Sequence, residues 1–173
     1  MKPRPIRIEG DVAYVTLSKG YVAIIDASDV PIVDGKNWHA SVKLRPDGSI
    51  RTVYARRQEN KETRQKPQFL HRVIAGTPDG LETDHIDGDG LNNRRKNLRP
   101  ATTSQNQHNR KVCLSNTSGV KGVWFGTKNR KWRAAINING RSKNLGYFTS
   151  KDEAAAAYAS ASRELHGDFG RTE

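Results

Sequence analysis

The chain has 173 residues and a formal net charge of +12, room for one medium domain or two small ones and a bias toward a polyanionic partner. Its single cysteine, Cys113, excludes an internal disulfide framework and a four-cysteine zinc knuckle, and suits a reducing cytosol. No stretch approaches the length of a membrane span and no apolar run follows Met1, so no membrane partner, no signal peptide and a cytoplasmic location are expected.

Residues 1–66 read as an N-terminal β-rich region. Residues 12–17 and 21–25 are strand-like, separated by the turn Ser18-Lys19-Gly20. Ser28 is placed to cap a short helix reaching Val33, with Gly35 as its stop. Residues 38–44 and 50–57, joined by Pro46-Asp47-Gly48-Ser49, read as a hairpin. Trp38 and Tyr54 are expected to be core anchors rather than ligand contacts, and the region shows no chemical constellation. Residues 58–66 are polar and read as a loop.

Residues 67–109 hold the chemistry. Residues 69–75 form a short amphipathic helix pattern ending at Gly76, and residues 82–86 form a strand pattern. Asp87 to Lys96 is too rich in Gly and Asn for regular structure, and residues 97–100 read as a return strand. Thr102-x-x-Gln105 has capping-box spacing and predicts a helix carrying Asn106.

Residues 110–118 read as a basic linker, either extended along a phosphate backbone or solvated. Residues 119–173 form a second module. Residues 120–125 are strand-like, and residues 131–138 alternate, with Trp132, Ala134, Ile136 and Ile138 on one face. Asn139-Gly140 is a hairpin turn signal and residues 142–148 form the third strand. Ser150-x-x-Glu153 opens a helix to about His166, stopped by Gly167, with Ala154, Tyr158, Ala161 and Leu165 on its packing face.

From Gly90 to Lys151 there are fourteen Lys or Arg and no Asp or Glu. That separation of charge differs from a solubilising mixture and favours nucleic acid, because each neutralised phosphate releases counterions. The segment Asp84-His85-Ile86-Asp87-Gly88-Asp89-Gly90-Leu91-Asn92-Asn93-Arg94-Arg95-Lys96-Asn97-Leu98 sets a carboxylate beside an imidazole, with asparagines following. A carboxylate and an amide oxygen suit a hard cation such as Mg²⁺, and an imidazole near neutral pKa suits a general base for water. Adjacent strand positions send Asp84 and His85 to opposite faces.

On Asp84-His85, Asn92-Asn93-Arg94, Asn97-Leu98 and Asn106, the chain resembles the HNH endonucleases with a ββα-metal finger. The resemblance implies His85 as general base, Asp84 and Asn106 as metal ligands, and Asn97 pinning the loop and helping to hold the His85 backbone. Asn106 stands where the family often has His, as in the HNN subtype of phage and intron-encoded enzymes. That ligand set implies Mg²⁺, with Mn²⁺ as the alternative, and disfavours Zn²⁺. Asp87-Gly88-Asp89 lacks the later acidic ligands of an EF-hand. His71 reads either as a group that assists the site or touches DNA, or as a packed histidine. His108 and Asn109 are candidate phosphate contacts; His39 and His166 are structural.

The C-terminal module resembles the plant ethylene-response-factor (Apetala-like) DNA-binding domain. Lys121-Gly122-Val123, residues 131–134, Leu145-Gly146-Tyr147-Phe148 and the alanine-rich helix carry the likeness. It implies that a sheet face enters the major groove of duplex DNA. Trp124, Arg133, Asn137 and Asn144 would face bases, with Lys121, Lys128, Arg130, Lys131, Arg141 and Lys143 available for phosphates. Trp124 and Asn144 differ from the plant pattern, so no target sequence carries over.

The reading is an α+β protein, a ββα-metal nuclease finger followed by a three-stranded antiparallel sheet packed on one helix. Its expected activity is metal-dependent, site-preferring cleavage of double-stranded DNA, of the phage or mobile-element homing kind, in a bacterial or phage-infected cell. One finger per chain implies a nick, and the chain is expected to act as a monomer with no obligate protein partner. Two rivals are a DNA-binding regulator with an inert finger and a non-specific degradative nuclease. An RNA-binding role is disfavoured because A-form RNA hides its major groove.

Overall fold

A computed structural model describes residues 3–57, 67–113, 115–138 and 140–172. The loop expected over residues 58–66 and the Asn139 half of the Asn139-Gly140 turn lie outside the described residues. The chain divides into two units, Met1–Thr102 and Thr103–Glu173. Both mix helix with small antiparallel sheets, as an α+β protein should, and no helix among the described residues is long and apolar enough to cross a membrane.

In the first unit, β1 (Ile6–Glu9), β2 (Val12–Thr16) and β3 (Val22–Asp26) form an antiparallel meander. Alternation sends Ala13, Val15, Ala23 and Ile25 inward. They share one core with Leu17, Val33, Trp38, Ala55, Leu70 and Ile74, so the N-terminal strands and residues 67–102 are packed together. Trp38 is buried because its indole N–H has a partner, donating to the Val33 carbonyl at 3.1 Å.

The expected helix near Ser28 is shorter than its pattern. A 3-10 turn over Ala27–Asp29 precedes α1 (Val30–Val33), and Ser28 makes no side-chain cap. The expected hairpin is β4 (His39–Leu44) and β5 (Ile50–Arg57), and β5 also pairs with β6 (Gln68–Phe69). Helix α2 (Leu70–Ala75) stops at Gly76, whose φ of +58° is left-handed. The unit ends in a two-stranded ribbon, β7 (Glu82–His85) with β8 (Leu98–Ala101).

The second unit opens with α3 (Thr103–His108), which carries Asn106. Strands β9 (Val123–Gly126), β10 (Lys131–Ile138) and β11 (Arg141–Phe148) form a sheet in the order β11-β10-β9. The first strand starts three residues later than its apolar pattern because Gly122 turns the chain at φ +68°. A Cβ on Gly122 would run into the Tyr158 ring and the Ala135 carbonyl. Helix α4 (Lys151–His166) has the full capping box: Glu153 N–H donates to Ser150 Oγ, and Ser150 N–H donates back to Glu153 Oε2. Ala154, Tyr158 and Ala161 pack on Val123, Ala134 and Ile136. This core ends at Ala161, so Leu165, expected on the same buried stripe, stays 36% exposed.

Candidate active site

The β7–β8 ribbon pairs Asp84 with Arg99 and His85 with Leu98, so the two neighbours face opposite sides. Asp84 is buried, and its Oδ2 accepts from Arg99 Nε at 2.8 Å and pairs with Nη2 at 2.8 Å. The guanidinium offsets the cost of burying the carboxylate and fixes its orientation.

His85 is 6% exposed. Its Nε2 lies 3.3 Å from Asn93 Oδ1. The amide orientation is set independently, since Asn93 Nδ2 donates to the Leu91 carbonyl at 2.9 Å. An amide oxygen only accepts, so Nε2 carries the hydrogen and Nδ1 keeps the lone pair. Burial pushes the His85 pKa down, against the opposing effects of the Asn93 contact and of Asp87, Asp84 and Asp89. The imidazole is therefore neutral at pH 7, the form in which a histidine accepts a proton.

A ring cluster fixes the other side of His85. His71 stands edge-on to it with centroids 5.0 Å apart, and Tyr54 is tilted against it at 5.9 Å. His71 in turn stacks on Phe69 at 5.3 Å and meets Tyr54 at 5.4 Å. Burial, then the His85 and Arg72 charges, pull the His71 pKa down to about 3. The unfolded chain therefore binds a proton at His71 that the folded protein refuses. Its contribution to stability is complete above pH 6.5 and is lost as pH falls from there toward about 3. Urea titrations across that window should show His71→Phe flattening the acid slope by up to about 1.4 kcal/mol per pH unit. An unchanged slope would contradict the buried, neutral state of His71.

The loop between the strands is held by its own asparagines and aspartates. Asn97 Oδ1 accepts from Asp87 N at 3.0 Å, while its Nδ2 donates to Asp87 Oδ1 at 2.9 Å and to the Asn92 carbonyl at 2.8 Å. The Asn97 carbonyl accepts from Ile86 N at 2.9 Å, one residue beyond His85. Asp87 also takes the Asn92 amide at 2.7 Å. Burial alone would raise the Asp87 pKa, but hydrogen bonds from Asp89 N, Asn97 and Asn92 outweigh it and hold it low. Asp87 thus organises the loop.

Strand β3 is the loop's outer anchor. Ile24 N donates to the Leu91 carbonyl at 2.8 Å, and Asn93 N donates to the Ile24 carbonyl at 2.7 Å. Arg94 reaches Asp26 at 2.8 Å and Asp11 at 2.7 Å, and Arg95 forks onto the buried Asp29. Three cations of the acid-free stretch, Arg94, Arg95 and Arg99, are thus paired within the protein. Residues 1–57, which present no constellation in sequence, supply Tyr54, Asp26, Asp29 and the Ile24 peptide to the site. The apolar-polar alternation of β5 marks Tyr54 as strand, but nothing local marks it as a neighbour of His85.

In the second unit the outer sheet face gathers Trp124, Arg133, Asn144 and Tyr147. The Arg133 guanidinium lies 5.0 Å from the Trp124 ring and 5.8 Å from that of Tyr147, and its Nε donates to Asn144 Oδ1 at 3.0 Å. The register places Lys131 and Asn137 on the same face. Arg141 and Lys143 pair with Ile138 and Ile136 and fall on the opposite face, near the hairpin end. Lys121 is away from both: its ammonium donates to the His108 carbonyl at 2.5 Å and the Arg110 carbonyl at 2.9 Å. Burial, with Arg171 and Arg110 nearby, lowers its pKa to about 8. Lys128 and Arg130 lie in the exposed β9–β10 turn. Asn109 is buried, and His108 stacks on His166 at 3.5 Å between centroids.

Residues 68–108 match the HNH endonuclease family. The chain thus carries an HNH endonuclease domain and is a DNA endonuclease, a phosphodiester hydrolase. Protein 3.8 of Escherichia phage T7 is 37% identical over 117 residues, 66% of this chain and 94% of that protein. Uncharacterized HNH endonuclease L560 of Acanthamoeba polyphaga mimivirus is 28% identical over 163 residues, 91% of this chain and 79% of that protein. The Ethylene-responsive transcription factor-like protein At4g13040 of Arabidopsis thaliana is 24% identical over 126 residues, 73% of this chain and 53% of that protein. No solved structure matches the chain.

Proposed function

We propose that the enzyme is a metal-dependent, site-preferring DNA endonuclease of the phage or mobile-element kind, cutting with an HNN-type ββα-metal finger. The observation that carries this reading is the state of His85: buried, neutral, and with Nε2 turned to Asn93 so that Nδ1 holds the lone pair. Nδ1 takes a proton from the attacking water, and Asn93 steadies the imidazolium that forms. Asn97 acts by holding the loop, and through it Asn93 and His85, in place.

Asp84 fits a hard cation, because it is a carboxylate, a hard oxygen donor. Asn106 is the second ligand on the family pattern. A bound Mg²⁺ would supply charge relief at the phosphoryl oxygens and at the departing 3′ oxygen. One carboxylate and one amide oxygen suit Mg²⁺ better than Zn²⁺. A single finger cuts one strand per encounter.

The second unit is the DNA reader in this account. The distant similarity to the Arabidopsis protein and the Trp124–Arg133–Asn144 grouping support it. Arg133 can hydrogen-bond guanine, and Asn137 and Asn144 can hydrogen-bond adenine. Lys131 is placed for phosphate on the same face, with Arg141 and Lys143 at the sheet's end. Lys121 instead ties two backbone carbonyls. Replacing Arg133 by Ala should reduce discrimination against the wrong base at one position by about 1–3 kcal/mol while leaving the chemical step intact. Cleavage-site mapping on genomic DNA checks this, and an unaltered site profile would remove the sheet from base recognition.

A further inference from the structure

The hairpin β4–β5 carries residues that the site as described does not use. Residues 39–57 contain five Lys or Arg and one acid, Asp47. In register, Ser41 pairs with Tyr54, Lys43 with Thr52 and His39 with Arg56, so Lys43 and Arg56 lie on the Tyr54 face, the face that meets His85. The opposite face, with Val53 and Ala55, is buried.

Beyond Lys43 the register shifts, pairing Leu44 with Ile50 and leaving Arg51 bulged and exposed. Leu44 and Ile50, 60% and 49% exposed, make an apolar pair at the tip. The tip is well formed. Arg45 donates to Ser49 Oγ at 3.1 Å and to the Ile50 carbonyl at 2.5 Å, Asp47 accepts from Ser49 N at 2.9 Å, and Gly48 turns at φ +81°. Ile50 lies four positions before Tyr54, so at roughly 3.3 Å per residue the tip lies at most about 13 Å along the strand from Tyr54. An ordered apolar tip flanked by cations, growing out of a DNA-cutting site, matches a duplex in both charge and chemistry.

We propose that the β4–β5 hairpin is a DNA-binding arm: Lys43 and Arg51 hold phosphates flanking the bond cut at His85, and the Leu44–Ile50 tip packs into the adjoining groove. The arm positions the duplex; it does not take part in the chemical step. The proposal rests on His85 marking the place of cleavage.

Duplex binding by the full chain, followed by anisotropy over a salt series, tests it together with nicking of supercoiled plasmid in Mg²⁺. K43A/R51A should weaken binding by roughly tenfold and reduce the slope of log K against log salt by about 2, one for each phosphate no longer neutralised. KM should rise by a similar factor with kcat unchanged. L44S/I50S should weaken binding several-fold at an unchanged salt slope. Thermal midpoints should stay at the wild-type value, because all four side chains are solvent-facing. Wild-type affinity and salt slope in K43A/R51A would overturn the arm. So would sedimentation showing that L44S/I50S dissolves a dimer, since the tip would then join two copies of this chain. Failure of the cleavage site itself reads out separately, as undiminished cutting by His85→Ala, whereas the arm's binding readouts do not depend on cleavage.

Discussion

His85→Ala is expected to lower DNA cleavage by about 10²- to 10⁴-fold, the usual loss when a positioned general base is removed. Affinity for the duplex should stay near wild type, for an electrostatic reason. The imidazole is neutral in the folded protein, because burial pulls its pKa below the ordinary histidine value. Its removal therefore takes no cation from the surface that meets phosphate. The fall should appear in kcat at saturating DNA, with little change in KM. The substitution also removes the ring packing against His71 and Tyr54. Unfolding should accordingly be followed in parallel, so that a loss of folded protein is not read as a loss of chemistry.

Gly90→Ala should damage the site without touching any group that meets the substrate. A Cβ at Gly90 would collide with the Val53 carbonyl and the Tyr54 ring. Strand β5 cannot retreat cheaply, because it is paired with β4 on one side and β6 on the other. The loop must move instead, and with it the Ile24–Leu91 and Ile24–Asn93 backbone hydrogen bonds that fix Asn93 under His85. Overpacking of this kind costs about 1–3 kcal/mol. Displacing a catalytic group by about an ångström costs about 10²-fold in rate. Urea unfolding and single-turnover cleavage should show both losses together. Wild-type stability and rate would mean that the loop does not depend on its fit against β5.

The local grammar of the chain carries much of this organisation. Residues 131–138 alternate, Ser150 and Glu153 have capping-box spacing, and Gly76 and Gly167 stop helices, so those elements appear where a period or a cap predicts them. Asp84, His85, Asn97 and Asn106 stand out as a candidate set because their spacing lies within one short segment. The hidden parts depend on contacts far apart in sequence. Asn93 is one asparagine among several until Leu91 and Ile24 orient it. Arg94 and Arg95 read as free positive charge until Asp11, Asp26 and Asp29, more than sixty residues earlier, neutralise them. His71 and Tyr54 each fit an ordinary packing role, and only the fold sets both against His85. Lys121 sits in a basic stretch, yet its ammonium is taken by two carbonyls.

Nicking of supercoiled plasmid DNA reads out both His85 and the divalent cation in one assay. The wild-type protein should convert supercoiled circles to open circles in Mg²⁺ and stop when the cation is chelated, and His85→Ala should bind the same DNA without cutting it. Wild-type protein that binds yet leaves the circles intact in every divalent cation, or His85→Ala that cuts at the wild-type rate, would rule out a metal-dependent nuclease with His85 as its base.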